Sequence, residues 1–182
     1  MENPGGQIFV RTFDEKVCIR VQGRATHLHA APFQSFAREM IAQGHDAFEI
    51  DLGPCSSMDS TFLGVLVGLS MKLEKNGRPK PCIFRASLTT NELFKTLGVE
   101  RFFELNGPGL LMNGAPVELQ QLDRPACSAA EWANTVINAH QLLVEVDDRN
   151  GPRFQDVLSY LKRDSATRPS PLPEEAQPSW KH

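Results

Sequence analysis

Asp59, Ser60 and Thr61 stand at the head of an apolar run that extends through Leu73, and each carries an oxygen able to make a hydrogen bond. A helix begins with four backbone N–H groups that lack intrahelical partners, and Asp, Ser and Thr are the residue types that satisfy them. Asp59 is therefore read as the N-cap of a helix and Ser60 as a residue of its first turn. There the free N–H groups and the helix dipole favour a negative group. A phosphate on Ser60 would not melt such a helix. It would add a charge of about −1.5 to −2 beside Asp59 and change the surface while leaving the fold intact. The same three residues also read as a helix cap and nothing more.

Other residues with chemical potential are scattered. The chain has five histidines and four cysteines. Only His27 and His29 are paired, and alternate positions of an extended segment face the same way. With no third ligand nearby they read as solvated histidines of a loop entering a helix, not as a zinc site. His140 lies on the apolar stripe of a later helix and reads as a packing residue. Cys18, Cys55, Cys82 and Cys127 are single, without a C-x-x-C pair, and read as reduced, inert and mostly buried. There is no G-x-S-x-G elbow, no H-E-x-x-H helix and no glycine-rich phosphate loop after a strand. Without a signalled nucleophile and base, an enzyme is not the expectation. No metal and no cofactor is expected.

Composition narrows the partners. Nineteen Lys and Arg stand against 22 Asp and Glu among 182 residues, for a formal net charge of −3. With no dense basic stripe, a nucleic-acid partner is excluded. The longest apolar stretch, Phe62 to Met71, is interrupted by Gly64, Gly68 and Ser70, so it falls short of the roughly 20 residues of a membrane span. The N-terminus, MENPGGQIFV, lacks a basic region followed by an apolar run, so a cytoplasmic location is expected. The length suits one domain with an appendage.

The elements that must position Asp59 and Ser60 follow from periodicity. Alternation at Ile8, Val10, Thr12 and at Val17, Ile19, Val21 predicts a hairpin, ended by Gly23. Phe33, Phe36, Ala37, Met40 and Ile41 predict a helix from Pro32 to Gln43, closed by Gly44. Strands are predicted at Ala47–Leu52 and Cys82–Arg85, and helices at Thr61–Asn76 and Thr89–Leu97. Phe102–Leu105 is a last edge strand or turn. Strands alternating with helices of this length imply an α/β layer. A domain over residues 7–105 is followed by a Gly- and Pro-rich linker or loop over 106–127. Ser128-x-x-Glu131 has the capping-box pattern and opens a C-terminal two-helix extension, 128–163. One helix carries Trp132, Val136, Ile137, His140, Leu143 and Val144. Asn150-Gly151-Pro152 separates it from a second with Phe154, Val157, Leu158 and Leu161. The Pro-rich segment 164–182 is expected to be a disordered tail.

FEIDL, MDSTFLGVL, PCIFRAS and LFKTLGVERFFEL together resemble the STAS domain of anti-sigma factor antagonists. The resemblance implies a four- or five-stranded mixed sheet with helices packed on one side, and a switch operated by phosphorylation of Ser60. It also implies a serine kinase that is itself the anti-sigma factor, or a similar regulator, as partner, with a phosphatase as reset. Two positions depart from the family pattern: Phe62 replaces a glycine, and Thr26 in GRAT stands where an Asp is common. Relatives that are not phosphorylated, including membrane-lipid transport subunits, tolerate such changes. Two functions follow: a non-catalytic interaction module that binds its partner while Ser60 is unmodified, or a constitutive adaptor that never meets a serine kinase.

At about 100° per residue, Phe62, Leu66, Leu69 and Leu73, with Val65, form one stripe of the central helix, enough to cover a sheet. Leu63, Val67 and Met71 form a second. Either a neighbouring helix of the same chain covers it, or it is a docking face beside the serine, in which case Asp59, Ser60, Thr61, Leu63, Val67 and Met71 are the partner-binding residues. The C-terminal helices likewise must bury their stripes against each other, against the α/β domain, or in a homodimer with a second copy.

Overall fold

The computed structural model describes residues 5–106, 118–123 and 127–167, with side chains to residue 163. The alternating segments at the start form β1 (Gln7–Phe13) and β2 (Lys16–Ala25), an antiparallel hairpin in which Ile8 faces Val21 and Phe13 faces Lys16. Asp14 occupies the left-handed region, φ 50°, in the closing turn, a conformation Asp tolerates better than most residues. The chain continues through α1 (His27–Ala42), β3 (Ala47–Asp51), β4 (Cys55–Met58), α2 (Ser60–Lys75), β5 (Cys82–Phe84) and α3 (Leu88–Thr96). A short 3-10 turn leads to β6 (Glu104–Leu105). Then come β7 (Gln120–Gln121), α4 (Ala129–Val146) and α5 (Gly151–Thr167).

The sheet is mixed, in the order β6-β5-β3-β2-β1-β7, with β4 pairing in parallel to the far end of β2. β2, β3, β5 and β6 run parallel, and on the other edge β1 pairs antiparallel to β2 and β7 antiparallel to β1. The count is seven strands, above the four or five that the resemblance implies: β6 is the expected edge strand at Phe102–Leu105, reduced to two residues, and β4 and β7 are further short pieces that periodicity does not report. The segment CSSM, between the predicted strand Ala47–Leu52 and the predicted helix from Thr61, pairs with Gly23–Ala25 and carries the chain to α2. Within the expected linker, Gln120 and Gln121 pair with Val10 and Phe9.

Val17, Ile19 and Val21 of β2 and Phe48 and Ile50 of β3 are buried, together with Phe33 of α1 and Phe62 and Leu66 of α2. The Phe33 and Phe62 rings meet with centroids 5.3 Å apart. Each such side chain contributes about 1.5–3 kcal/mol by leaving water. At the C-terminal ends of the parallel strands, the buried carboxylate of Asp51 accepts hydrogen bonds from Arg20 Nε at 2.9 Å, Arg85 Nε at 2.9 Å and the Gly53 N–H at 3.0 Å. Burial alone would raise the Asp51 pKa, but Arg85, Gly53 and Arg20 hold it below the ordinary value. This brace ties the middle of β2 to the C-terminal ends of β3 and β5.

α1 begins at His27, five residues before the predicted start, and contains Pro32. His27 and His29 are therefore helical, not loop residues. His29 is also buried, not solvated. Its Nδ1 accepts from the Thr26 N–H at 3.1 Å, so its Nε2–H donates to the Gly6 carbonyl at 2.7 Å. It fills the place that Glu takes in a capping box.

The C-terminal helices fold onto the α/β part of the same chain. α4 opens on the Ser128–Glu131 capping box. It lies on α2 and α1, with α5 against it. Gly64 makes this approach close: a β-carbon there would stand 2.6 Å from the Ala139 carbonyl oxygen. At the corner between α4 and α5, the buried Asn150 donates from Nδ2 to the carbonyls of Leu143 at 2.7 Å and Leu97 at 3.0 Å. α5 runs to Thr167, into the segment expected as tail. The expected tail from 168 on, and linker residues 107–117 and 124–126, lie outside the described residues.

Candidate functional site

Thr26 and Asp59 end β-strand segments and begin α1 and α2, so two helix N-termini lie side by side at one end of the sheet. Asp59 joins them. Its Oδ1 accepts from the Phe62 N–H at 2.9 Å, capping α2, and its Oδ2 accepts from the His27 N–H at 2.7 Å, at the first residue of α1. One carboxylate thus serves two helix starts, each with a positive dipole end. The backbone N–H of Asp59 donates to the Ala25 carbonyl at 2.9 Å, which holds the cap in place.

Ser60 is the first residue of α2 and is half-buried. Its Oγ lies 2.9 Å from His140 Nε2 of α4, while His140 Nδ1 lies 2.9 Å from the Val136 carbonyl. A carbonyl can only accept, so Nδ1 carries the proton and Nε2 is the acceptor. The Ser60 hydroxyl is therefore the donor. His140 is buried and packs against the Phe154 ring at 4.6 Å between centroids. Burial pushes its pKa below the ordinary histidine value, opposed by the bond to Val136 and the negative charge of Asp59. The neutral imidazole is thus the form that fits. Farther out, His27 meets the edge of Trp132 with ring centroids 5.7 Å apart, which links α1 to α4 as Ser60 and His140 link α2 to it.

The residues expected to bind a partner separate into two groups. Asp59 and Ser60 reach the surface in part, with Met71 partly covered. Thr61 is buried, and Leu63 and Val67 are both at 0% exposure, in one apolar cluster with Ala139 and Leu143 of α4. The docking-face reading of Leu63, Val67 and Met71 is therefore corrected. The second stripe of α2 is closed by a helix of the same chain, the other alternative the sequence left open. His140 was legible as a packing residue, but not as the partner of Ser60. The one signal available is that a polar ring on an apolar stripe needs a hydrogen-bonding group opposite it.

Cys18, Cys55 and Cys82 are buried and Cys127 is exposed. Burial raises the pKa of Cys18 and Cys55, which makes both poor nucleophiles. Among the described residues, no group of three or more His, Cys, Asp or Glu is placed to hold a metal ion. No helix among them is long and apolar enough to cross a membrane.

Residues 8–83 match a family model described as Mlab, STAS domain. In shape, the chain is similar to the anti-sigma factor antagonist SpoIIAA in its unphosphorylated form, at 20% identity and a TM-score of 0.51, covering 58% of this chain and 93% of that one. An anti-sigma factor antagonist from Mycobacterium paratuberculosis gives 20% identity and 0.51, covering 62% and 94%. A putative anti-sigma factor antagonist from Thermotoga maritima gives 15% and 0.50, covering 54% and 85%. No curated protein sequence matches the chain. The STAS-domain resemblance is thereby shown, and the mixed sheet with α1 to α3 is a STAS-type fold. Nearly the whole of SpoIIAA is spanned while two-fifths of this chain stays unmatched, and the model match ends before α4 and α5.

Proposed function

We propose that this chain is a non-catalytic protein-interaction module of the STAS type, in which the charge on Ser60 selects between two binding states. The observation that carries the reading is the position of the Ser60 hydroxyl. It sits at the first residue of α2, beside a carboxylate that already braces two helix starts. A phosphate there meets free N–H groups and a favourable dipole, so the helix survives modification while the surface charge changes. The structural relatives carry the description anti-sigma factor antagonist, which suggests a serine kinase acting as anti-sigma factor, or a similar regulator, as partner and a phosphatase as reset. The cytoplasm is where such an exchange would run.

A specific observation favours a second reading. α4 covers Leu63 and Val67, and His140 engages Ser60, as a constitutive adaptor would keep them. In-cell cross-linking of the full chain carrying Ser60→Ala or Ser60→Glu separates the two. Different sets of cross-linked proteins support the switch. Identical sets contradict it and support the adaptor.

A further inference from the structure

The face of α2 next to Ser60 already has an occupant, α4, and the contact closes directly on the serine. We infer that α4 is a tethered cover of this face, latched by the Ser60–His140 hydrogen bond, and that phosphorylation of Ser60 releases it. The inference rests on the reading of Ser60 as a modification site and adds the direction of the switch.

The chemistry of the latch makes it sensitive to this one modification. The bond needs a proton on Ser60 Oγ, because His140 Nε2 offers only a lone pair while Nδ1–H is held by Val136 at 2.9 Å. Forming the phosphate ester removes that proton: the Oγ–H bond and the bridging bond from the γ-phosphorus of a nucleoside triphosphate break, an Oγ–P bond forms, the nucleoside diphosphate leaves, and the proton passes to the kinase's base or solvent. Oxygen lone pairs then face a nitrogen lone pair. His140 can restore a donor only by giving up Val136 or by taking up a proton in a buried site. A dianion also does not transfer from water into a contact where the Phe154 ring packs on His140 without a large penalty. Asp59, one residue away, adds a further negative charge. The helix N-terminus offers the phosphate a better position outside the contact, and moving there separates Ser60 from His140. The weak point of the cover is thus its serine end. Its remaining hold is the His27–Trp132 ring contact, the apolar contact at Gly64, Ala139 and Leu143 and the Asn150 corner.

Release uncovers Leu63 and Val67, the reverse of the order expected from the sequence, in which the unmodified form exposes the stripe. The test is amide hydrogen exchange on the full chain with phosphoserine installed at position 60, compared with unmodified protein and with Ser60→Ala. The expected result is exchange across residues 129–146 faster by about tenfold or more, with β2 and β3 unchanged, since local openings are separable from global unfolding. Ser60→Ala, which loses one neutral hydrogen bond, should accelerate α4 by only a few-fold. Unchanged exchange in α4 overturns the inference. So does slower exchange, which would mean that phosphoserine pairs with a protonated His140 and tightens the cover. Loss of protection in β2 and β3 together with α4 also overturns it, since α4 would then be inseparable from the core. These outcomes leave the proposed function standing, which fails instead if Ser60 is never modified in cells.

Discussion

Replacing Asp59 with alanine tests the site's most unusual feature, one carboxylate capping two helices. The substitution deletes the acceptor for the Phe62 N–H at 2.9 Å and the acceptor for the His27 N–H at 2.7 Å. Loss of an N-cap costs about 1 kcal/mol at each helix. Removing the negative charge from each dipole end adds about 0.3–1 kcal/mol per helix in a partly exposed setting. The expected destabilisation is therefore about 2.5–4 kcal/mol, or roughly 5–16 °C in Tm at about 2–4 °C per kcal/mol for a chain of this size. Asp59→Asn retains one acceptor oxygen, so it should fall about midway. Urea denaturation of the three proteins supplies the numbers, with the slope checked to be constant. A loss of about 1 kcal/mol or less for Asp59→Ala, equal to that for Asp59→Asn, would refute the double cap and leave Asp59 serving α2 alone.

Gly64→Val should destabilise by about 1–3 kcal/mol through overpacking, because its β-carbon would stand 2.6 Å from the Ala139 carbonyl oxygen; hydrogen exchange should place the loss in α4. His140 is neutral and its pKa is lowered by burial, so below the ordinary histidine value of about 6.5 the unfolded chain binds more protons than the folded one. Its contribution to stability is fully present above about pH 6.5 and is lost as pH falls through the lowered pKa. His140→Gln should remove that slope in denaturation measured across this range, and an unaltered slope would assign it elsewhere. A chain ending near Pro116 should keep the circular dichroism of an α/β domain but self-associate in light scattering, since Leu63 and Val67, at 0% exposure under α4, would face water; a monomeric truncated chain would show that another element closes the stripe.

What the sequence made legible was what adjacent residues decide among themselves. Asp59 could be read as a cap because its partner, the Phe62 N–H, lies three residues on, and the Ser128–Glu131 box was readable for the same reason. The spacing of Val17, Ile19 and Val21 and that of Phe62, Leu66, Leu69 and Leu73 specify their burial without further context, whereas of the β1 set only Ile8 is buried. The second bond of Asp59 reaches His27 across 32 residues, and Ser60 reaches His140 across 80, so no local pattern encodes either. α1 was begun too late because Pro32 and the His27–His29 pair suggest a loop, while the actual start depends on His29 bonding to Thr26 and Gly6. β4 and β7 are too short and polar for alternation to report, and exist because β2 and β1 offer free edges. The second stripe of α2 was visible, but its cover depends on where the C-terminal helices fold, which the Asn150 corner and Gly64 settle in three dimensions.

The central claim is that Ser60 is a modification site that changes what the chain binds. Intact-mass analysis with peptide mapping, on protein isolated from its native cells over a range of growth conditions, tests it most directly. The account predicts at least one condition in which a large share of the chains carries a single phosphate, mapped to Ser60. Chains that carry no phosphate in every condition, or carry it only at other residues, would contradict it.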